Sequence, residues 1–174
     1  MNEKLKEVLK TILTYLIIIF LVVIIRIFFV DPVRVDGSSM DTTLQNGEIM
    51  LVNKITYRRH AIKRFDIVVI KDGNKYIIKR VVGLPGETIS YKDGKLYIND
   101  KEVEDPYPSS ETDDFSIEDV GHTKIPGDTY FVMGDNRAVS LDSRYPSVGV
   151  IKKSQILGNA KLVVWPFKRF GIVK

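Results

Sequence analysis

The sequence predicts a mainly β protein, in which an antiparallel domain of short strands follows one N-terminal transmembrane helix. Two observations support this prediction. A long apolar run occupies residues 11–30, and the chain beyond it consists of short β-branched runs separated by turn residues. With 174 residues, 44% of them hydrophobic, the chain is long enough for one domain with its own core.

The N-terminal run, TILTYLIIIFLVVIIRIFFV, holds a single charge, Arg26, near its end. As a helix rising about 1.5 Å per residue, it would span the roughly 30 Å hydrocarbon core of a bilayer. A cleavable signal peptide is the alternative, but the apolar region of such a peptide is only about 7 to 15 residues long. The length therefore favours an uncleaved, single-pass anchor.

The lysines before this run predict its orientation. Short flanks rich in lysine stay in the cytoplasm, whereas acidic residues count for little. We therefore expect residues 1–10 to be a cytoplasmic tail, residues 11–30 to be the anchor in the cell membrane, and residues 31–174 to form an extracytoplasmic β domain.

Strands are predicted from three segments of the remaining chain. GEIMLVNKI (residues 47–55) and DIVVIKDG (residues 66–73) are apolar runs that end at turn residues. Residues 75–100 form successive strands interrupted by Pro-Gly and Asp-Gly turns, and Asp93-Gly94 is typical of a tight hairpin.

Charge is distributed in blocks. The formal net charge is +4, but no zinc-finger spacing or RNA-binding signature accompanies it, so nucleic acid is not an expected partner. The basic stretch at residues 57–64, YRRHAIKR, could contact anionic lipid headgroups or form a solvated loop. Residues 102–119 contain eight acids without lysine or arginine, which predicts an exposed insertion away from the core.

Neither a metal nor a cofactor is expected. The chain has no cysteine, which excludes disulfides, thiolate zinc sites and a cysteine nucleophile. The acidic block lacks the glycine-centred spacing of a calcium loop.

The stretch VDGSSMDTTL at residues 35–44 has the composition of a nucleophile loop. Gly37 permits a sharp backbone before Ser39, and Met40 places an apolar side chain beside that serine. A polar turn between strands is the simpler interpretation. Because the chain has only two histidines, His60 and His122, a base for the serine is sought among the lysines.

Lys79 is the candidate base. It lies in the β-branched run YIIKRVV, where burial would lower its pKa and increase the fraction of free amine. The alternative is that Lys79 points to solvent and Arg80 packs inward.

A third segment, GDNRAVSLDSR at residues 134–144, follows a predicted strand. Ser140 is a candidate to hold the lysine amine, and Asp142 and Arg144 can form an ion pair whose role is more structural than catalytic.

Together these segments resemble the type I signal peptidases, which are membrane-bound serine proteases with a serine–lysine dyad. GSSMDTTL is similar to the family's nucleophile box, KRVVGLPGE to its lysine box, and GDNRAVSLDSR to its Gly-Asp-Asn-Arg box. The three boxes and the anchor occur in the family's order, so the resemblance covers nearly the whole chain.

The resemblance implies a role for each candidate residue. Ser39 would be the nucleophile, Lys79 the general base and Ser140 the hydroxyl that orients Lys79. Asp142 with Arg144 would support the site, and Met40 would help to line it. The implied substrates are exported preproteins, cut after small residues in Ala-x-Ala sites.

Two positions depart from the family pattern. Thr42 stands where the family usually has proline, and Gly37 stands where some members have a serine that helps to stabilise the oxyanion. Two rival functions remain, a specialised serine–lysine processing peptidase and a membrane-anchored β module that binds partners without catalysis. The second predicts that Ser39 and Lys79 are replaceable.

Overall fold

The computed structural model describes residues 3–73, 75–108 and 111–173. Its first element is helix α1 (Glu3–Phe28), whose side chains are all unburied. Within the described residues, α1 is the one helix long and apolar enough to cross a membrane. It starts before the predicted anchor and stops two residues before the anchor's predicted end, because the chain becomes extended ahead of Pro32.

The rest of the described chain is mainly β, which confirms the predicted fold class. A four-residue helix, α2 (Thr56–Arg59), is the other α-helix of these residues. The strands are β1 (Val30–Arg34), β2 (Ile49–Asn53), β3 (Ile67–Asp72), β4 (Lys75–Gly83), β5 (Ile89–Lys92), β6 (Lys95–Ile98), β7 (Lys101–Val103), β8 (Phe115–Ser116), β9 (Thr129–Met133), β10 (Ile151–Lys152), β11 (Ile156–Trp165) and β12 (Gly171–Ile172). Short 3₁₀ turns lie at Ile117–Val120, Lys153–Gln155 and Phe167–Arg169.

The strands form two antiparallel sheets. The larger has the order β1-β2-β11-β3-β4-β9-β10, with β12 paired to β11, and the smaller has the order β7-β6-β5-β8. The predicted hairpin at Asp93-Gly94 joins β5 to β6, and both of its residues have positive φ, as tight turns require. In the larger sheet β3 pairs with β4 so that Val68 lies opposite Lys79.

Strand β4 lies at the centre of the core. It contributes a side chain to each of three hydrophobic clusters: Ile78 to the first, Val82 to the second and Val81 to the third. The second cluster joins the two sheets, and the rings of Tyr91, Phe115 and Phe131 stack there with centroids 5.4 and 5.5 Å apart. Because both faces of the second half of β4 are covered, Lys79 and Arg80 are buried there as well as its apolar side chains.

The acidic segment at residues 102–119 differs from the predicted exposed insertion. Ile117 and Thr112 are buried, and Phe115 packs against the second hydrophobic cluster. Asp105 is also drawn inward, because its carboxylate pairs with the buried guanidinium of Arg137 at 2.7 Å. The segment is therefore part of the packed domain at these positions.

The basic stretch at residues 57–64 is also tied to the domain. Its first part belongs to α2, Ile62 is buried, and Arg64 forms a bidentate pair with Glu87 at 2.7 and 3.1 Å. His60 and Lys63 remain exposed.

Candidate active site

The predicted nucleophile loop is fixed to the core from both sides. Val35, Met40 and Leu44 are buried in the first hydrophobic cluster, and the Leu44 N–H donates to the Met40 carbonyl at 2.8 Å. Gly37 has a φ of +92°, a conformation that favours glycine. Ser39 is half-buried at the apex of this loop.

The loop that follows β9 packs against the Ser39 backbone. The Asn136 N–H donates to the Ser39 carbonyl at 3.0 Å, and the Asn136 side-chain amide donates to the Ser38 carbonyl at 3.2 Å. Gly134 permits this approach, since a Cβ there would collide with the Ser140 Oγ and the Ser39 carbonyl oxygen. The first and third predicted motifs are thus in direct contact.

Lys79 is buried, with 4% of its surface exposed. Its Nζ donates a hydrogen bond of 2.9 Å to the Ser140 Oγ, so the second and third motifs also meet. Burial lowers the pKa of Lys79, and Arg144 acts in the same direction, while Asp142 and Asp135 oppose the shift. The net decrease enlarges the fraction of neutral amine at a given pH.

Ser39 and Lys79 line one cavity of about 330 Å³. Its other lining residues are mostly apolar or small: Ile70, Asp72, Ile77, Leu141, Ser147, Val148, Ile151 and Gln155. A cavity of this size and lining accommodates short apolar side chains next to the two candidate reactive groups.

The predicted pair of Asp142 and Arg144 is present. Arg144 Nε and Nη2 donate to the two Asp142 oxygens at 2.9 and 3.0 Å, and Asp142 also accepts the Gly134 N–H at 3.0 Å. Arg144 further donates to the carbonyls of Arg137 at 2.7 Å and Ser140 at 3.3 Å. The pair therefore fixes the loop that carries Ser140.

Met40 occupies a different place from the one the resemblance implies. It is buried among Val33, Leu44 and Met50 in the first hydrophobic cluster, whereas the cavity is lined by other residues. Its thioether side chain anchors the loop beside Ser39 because that position points into the core.

The sequence motifs did not predict the buried ion pair between Arg80 and Asp135. Arg80 and Asp135 are fully buried and bonded through two contacts of 2.8 and 2.7 Å, and Asp135 also accepts the Thr43 hydroxyl at 2.5 Å. The pair thus connects β4 to both loops of the site. The Tyr107 ring covers the Arg80 guanidinium, with its centroid 3.6 Å from Cζ.

A second buried arginine was also missed. Arg137 donates to the Gly134 carbonyl at 2.9 Å, to the Tyr91 hydroxyl at 2.6 Å and to Asp105 at 2.7 Å. Tyr91 in turn bonds Asp105, and burial raises the pKa of the Tyr91 phenol. Arg137 thereby joins the smaller sheet and the acidic segment to the loop that follows β9.

The fold and the three motifs place this chain in a class of hydrolases, the serine endopeptidases. The family model described as signal peptidase, peptidase S26, matches residues 6–165. The chain belongs to this family, as its three motifs predicted.

Similarity to individual signal peptidases supports this assignment. Signal peptidase I of Bacillus caldolyticus is 40% identical over 168 residues, which cover 90% of this chain and 91% of the relative. Signal peptidase I V of Bacillus subtilis is 48% identical over 141 residues, covering 75% and 82%. The non-catalytic alternative is set aside by these matches.

A solved structure is also similar. The crystal structure of a signal peptidase I from Enterococcus faecalis V583 has a TM-score of 0.52 and 35% sequence identity to this chain. The superposition covers 57% of this chain and 97% of that one.

Proposed function

We propose that this protein is a membrane-anchored peptidase that removes N-terminal signal peptides from exported preproteins, with Ser39 as nucleophile and Lys79 as general base. Signal-peptide removal by a serine protease is the activity of its family. One observation carries the assignment of the two residues: Ser39 and a buried Lys79 line the same cavity.

Lys79 is suited to the role of base because its amine is both desolvated and oriented. Burial lowers its pKa, and the 2.9 Å hydrogen bond to Ser140 fixes the position of Nζ. In the proposed reaction, the Ser39 hydroxyl attacks the scissile carbonyl and its proton passes to Nζ. Lys79 then protonates the leaving amine and activates the water that hydrolyses the acyl-enzyme.

The oxyanion is stabilised chiefly by the backbone N–H of Ser39 in this proposal. Gly37 supplies no hydroxyl at the position where some members have serine. The contacts of Asn136 with Ser38 and Ser39 hold this backbone in place.

The cavity supports a preference for small residues before the cut. Its volume of about 330 Å³ and its apolar walls suit alanine side chains at the first and third positions of an extended Ala-x-Ala segment.

Helix α1 anchors the enzyme in this proposal, with the N-terminus in the cytoplasm and the β domain on the outer face. Lys4, Lys6 and Lys10 precede the apolar part of the helix and support this orientation. Anchoring confines enzyme and preprotein to one surface, which raises their effective concentration.

The test is cleavage of a preprotein with an Ala-x-Ala site by the detergent-solubilised full chain. Ser39→Ala and Lys79→Met should each abolish cleavage. Lys75→Met is the matched control, because Lys75 is an exposed lysine on the same strand. Retained activity in Lys79→Met would show that another base operates.

A further inference from the structure

A second and larger cavity, of about 670 Å³, lies beside the start of β1 and shares no lining residue with the Ser39 cavity. We call it the anchor groove. Its apolar wall comes from several strands and includes Val30, Leu51, Leu162 and Ile172. Its basic residues are His60, Lys63 and Lys161.

The anchor groove lies next to the end of the proposed membrane helix. Val30 follows the last residue of α1, Phe28, by only two positions. An adjoining hollow is lined by Phe29 and shares Val30 and His60 with the groove. Since α1 has 26 residues and a helix rises about 1.5 Å per residue, its end reaches the headgroup region of a bilayer about 30 Å thick.

The groove combines an apolar wall with exposed cations. Lys63 and Lys161 are exposed, and the acid among the lining residues, Asp66, is turned inward and almost fully buried. Asp66 accepts bonds from the Lys161 Nζ at 3.1 Å, the Lys63 N–H at 3.0 Å and the Tyr57 hydroxyl at 3.1 Å. With one acid against two lysines, the formal charge of the lining is positive.

We propose that the anchor groove binds an anionic phospholipid, with the phosphate at Lys63 and Lys161 and one acyl chain along Leu51, Leu162 and Ile172. An amphiphile with an anionic head matches both the charge and the apolar wall. The proposal rests on the membrane anchoring of the proposed function, and it concerns a site separate from the chemistry.

Lipid retention tests the site directly. The full chain, purified in detergent, is given equal amounts of phosphatidylglycerol and phosphatidylcholine, and native mass spectrometry measures how much of each stays bound. The wild type should retain phosphatidylglycerol preferentially. Lys63→Gln with Lys161→Gln should lower this retention more than ten-fold, because each basic residue at a membrane surface contributes about five-fold in affinity.

The control variant carries Lys92→Gln and Lys101→Gln, which remove the same charge from exposed positions of the smaller sheet. It should retain phosphatidylglycerol like the wild type. An equal loss of bound phosphatidylglycerol in both double variants would show that retention depends on net charge alone, and would overturn the proposed site. Cleavage of the test preprotein in lipid-free detergent should be unchanged in both, which shows that they are folded.

Photolabelling locates the acyl chain. A phosphatidylglycerol with a photoreactive acyl chain should label peptides that contain Leu51, Leu162 or Ile172, and labelling confined to α1 would overturn the site. Flotation with phosphatidylcholine vesicles tests membrane anchoring by α1 separately from lipid binding in the anchor groove. A chain that floats but has no preference for the anionic lipid refutes the groove alone, whereas a chain that does not float refutes the anchor and the groove with it.

Discussion

The Nζ of Lys79 lies 2.9 Å from the Oγ of Ser140, and both side chains are buried. Replacing Ser140 with alanine leaves the amine without this partner. We expect kcat to fall about ten- to hundred-fold with little change in KM, since a buried hydrogen bond contributes about 1–3 kcal/mol. Ser147→Ala is the control, because Ser147 lines the same cavity. An equal fall in kcat in that variant would contradict a specific role for Ser140.

The pH profile should reveal the lowered pKa of Lys79. Since the base must be neutral to accept a proton, kcat/KM should rise with pH, with a midpoint below the ordinary lysine value of 10.5. Arg144 contributes to the lowering, so Arg144→Gln should move the midpoint to higher pH, whereas Arg144→Lys, which keeps the charge, should not. A midpoint that is identical in both variants would contradict this electrostatic role.

The same shift has a consequence for stability. The folded state holds the Lys79 proton less tightly than the unfolded state does. At pH values below the folded pKa, burial of the charged amine therefore lowers the free energy of unfolding, and this loss disappears as the pH rises towards 10.5. Lys79→Met should therefore have a higher Tm than the wild type near neutral pH, and the difference should narrow in alkaline buffer. Thermal unfolding followed by circular dichroism measures both. A difference that is constant with pH would be inconsistent with titration of Lys79.

The sequence was sufficient for the fold class and the three motif segments, because these depend on local patterns. Alternating and β-branched runs identified the strands, and short motifs identified the family. The buried ion pairs were different: Arg80 bonds a residue 55 positions away, and Arg137 bonds one 32 positions away. No local pattern specifies such partners.

The acidic segment shows why burial was the harder prediction. Its composition is typical of a solvated insertion, yet the side chain of Asp105 is only 4% exposed, because Arg137 compensates its charge. On β4, successive side chains point to opposite faces, and the alternative to a buried Lys79 was that Lys79 points to solvent while Arg80 packs inward. Both are buried because packing covers the two faces of the strand.

Breaking the Arg80–Asp135 pair should be costly. Asp135→Asn leaves a buried guanidinium without its counter-charge, which lowers the free energy of unfolding by about 3–5 kcal/mol. Replacing both residues by apolar ones, Arg80→Met with Asp135→Leu, should restore part of that loss. Glu102→Gln is the control, because it breaks the exposed pair with Lys95 and should change the free energy of unfolding very little. Similar losses in Asp135→Asn and Glu102→Gln would contradict the importance of burial.

The orientation of the anchor can be measured with single cysteines, because the natural chain has none. Lys124→Cys places a thiol at an exposed position of the β domain, and Glu7→Cys places one in the proposed cytoplasmic tail without removing a lysine. A membrane-impermeant maleimide added to intact protoplasts should label Lys124→Cys alone, and Glu7→Cys should become reactive only after permeabilisation. The opposite pattern would reverse the proposed orientation. It would also place the Ser39 cavity in the cytoplasm, on the wrong side of the membrane to meet exported preproteins.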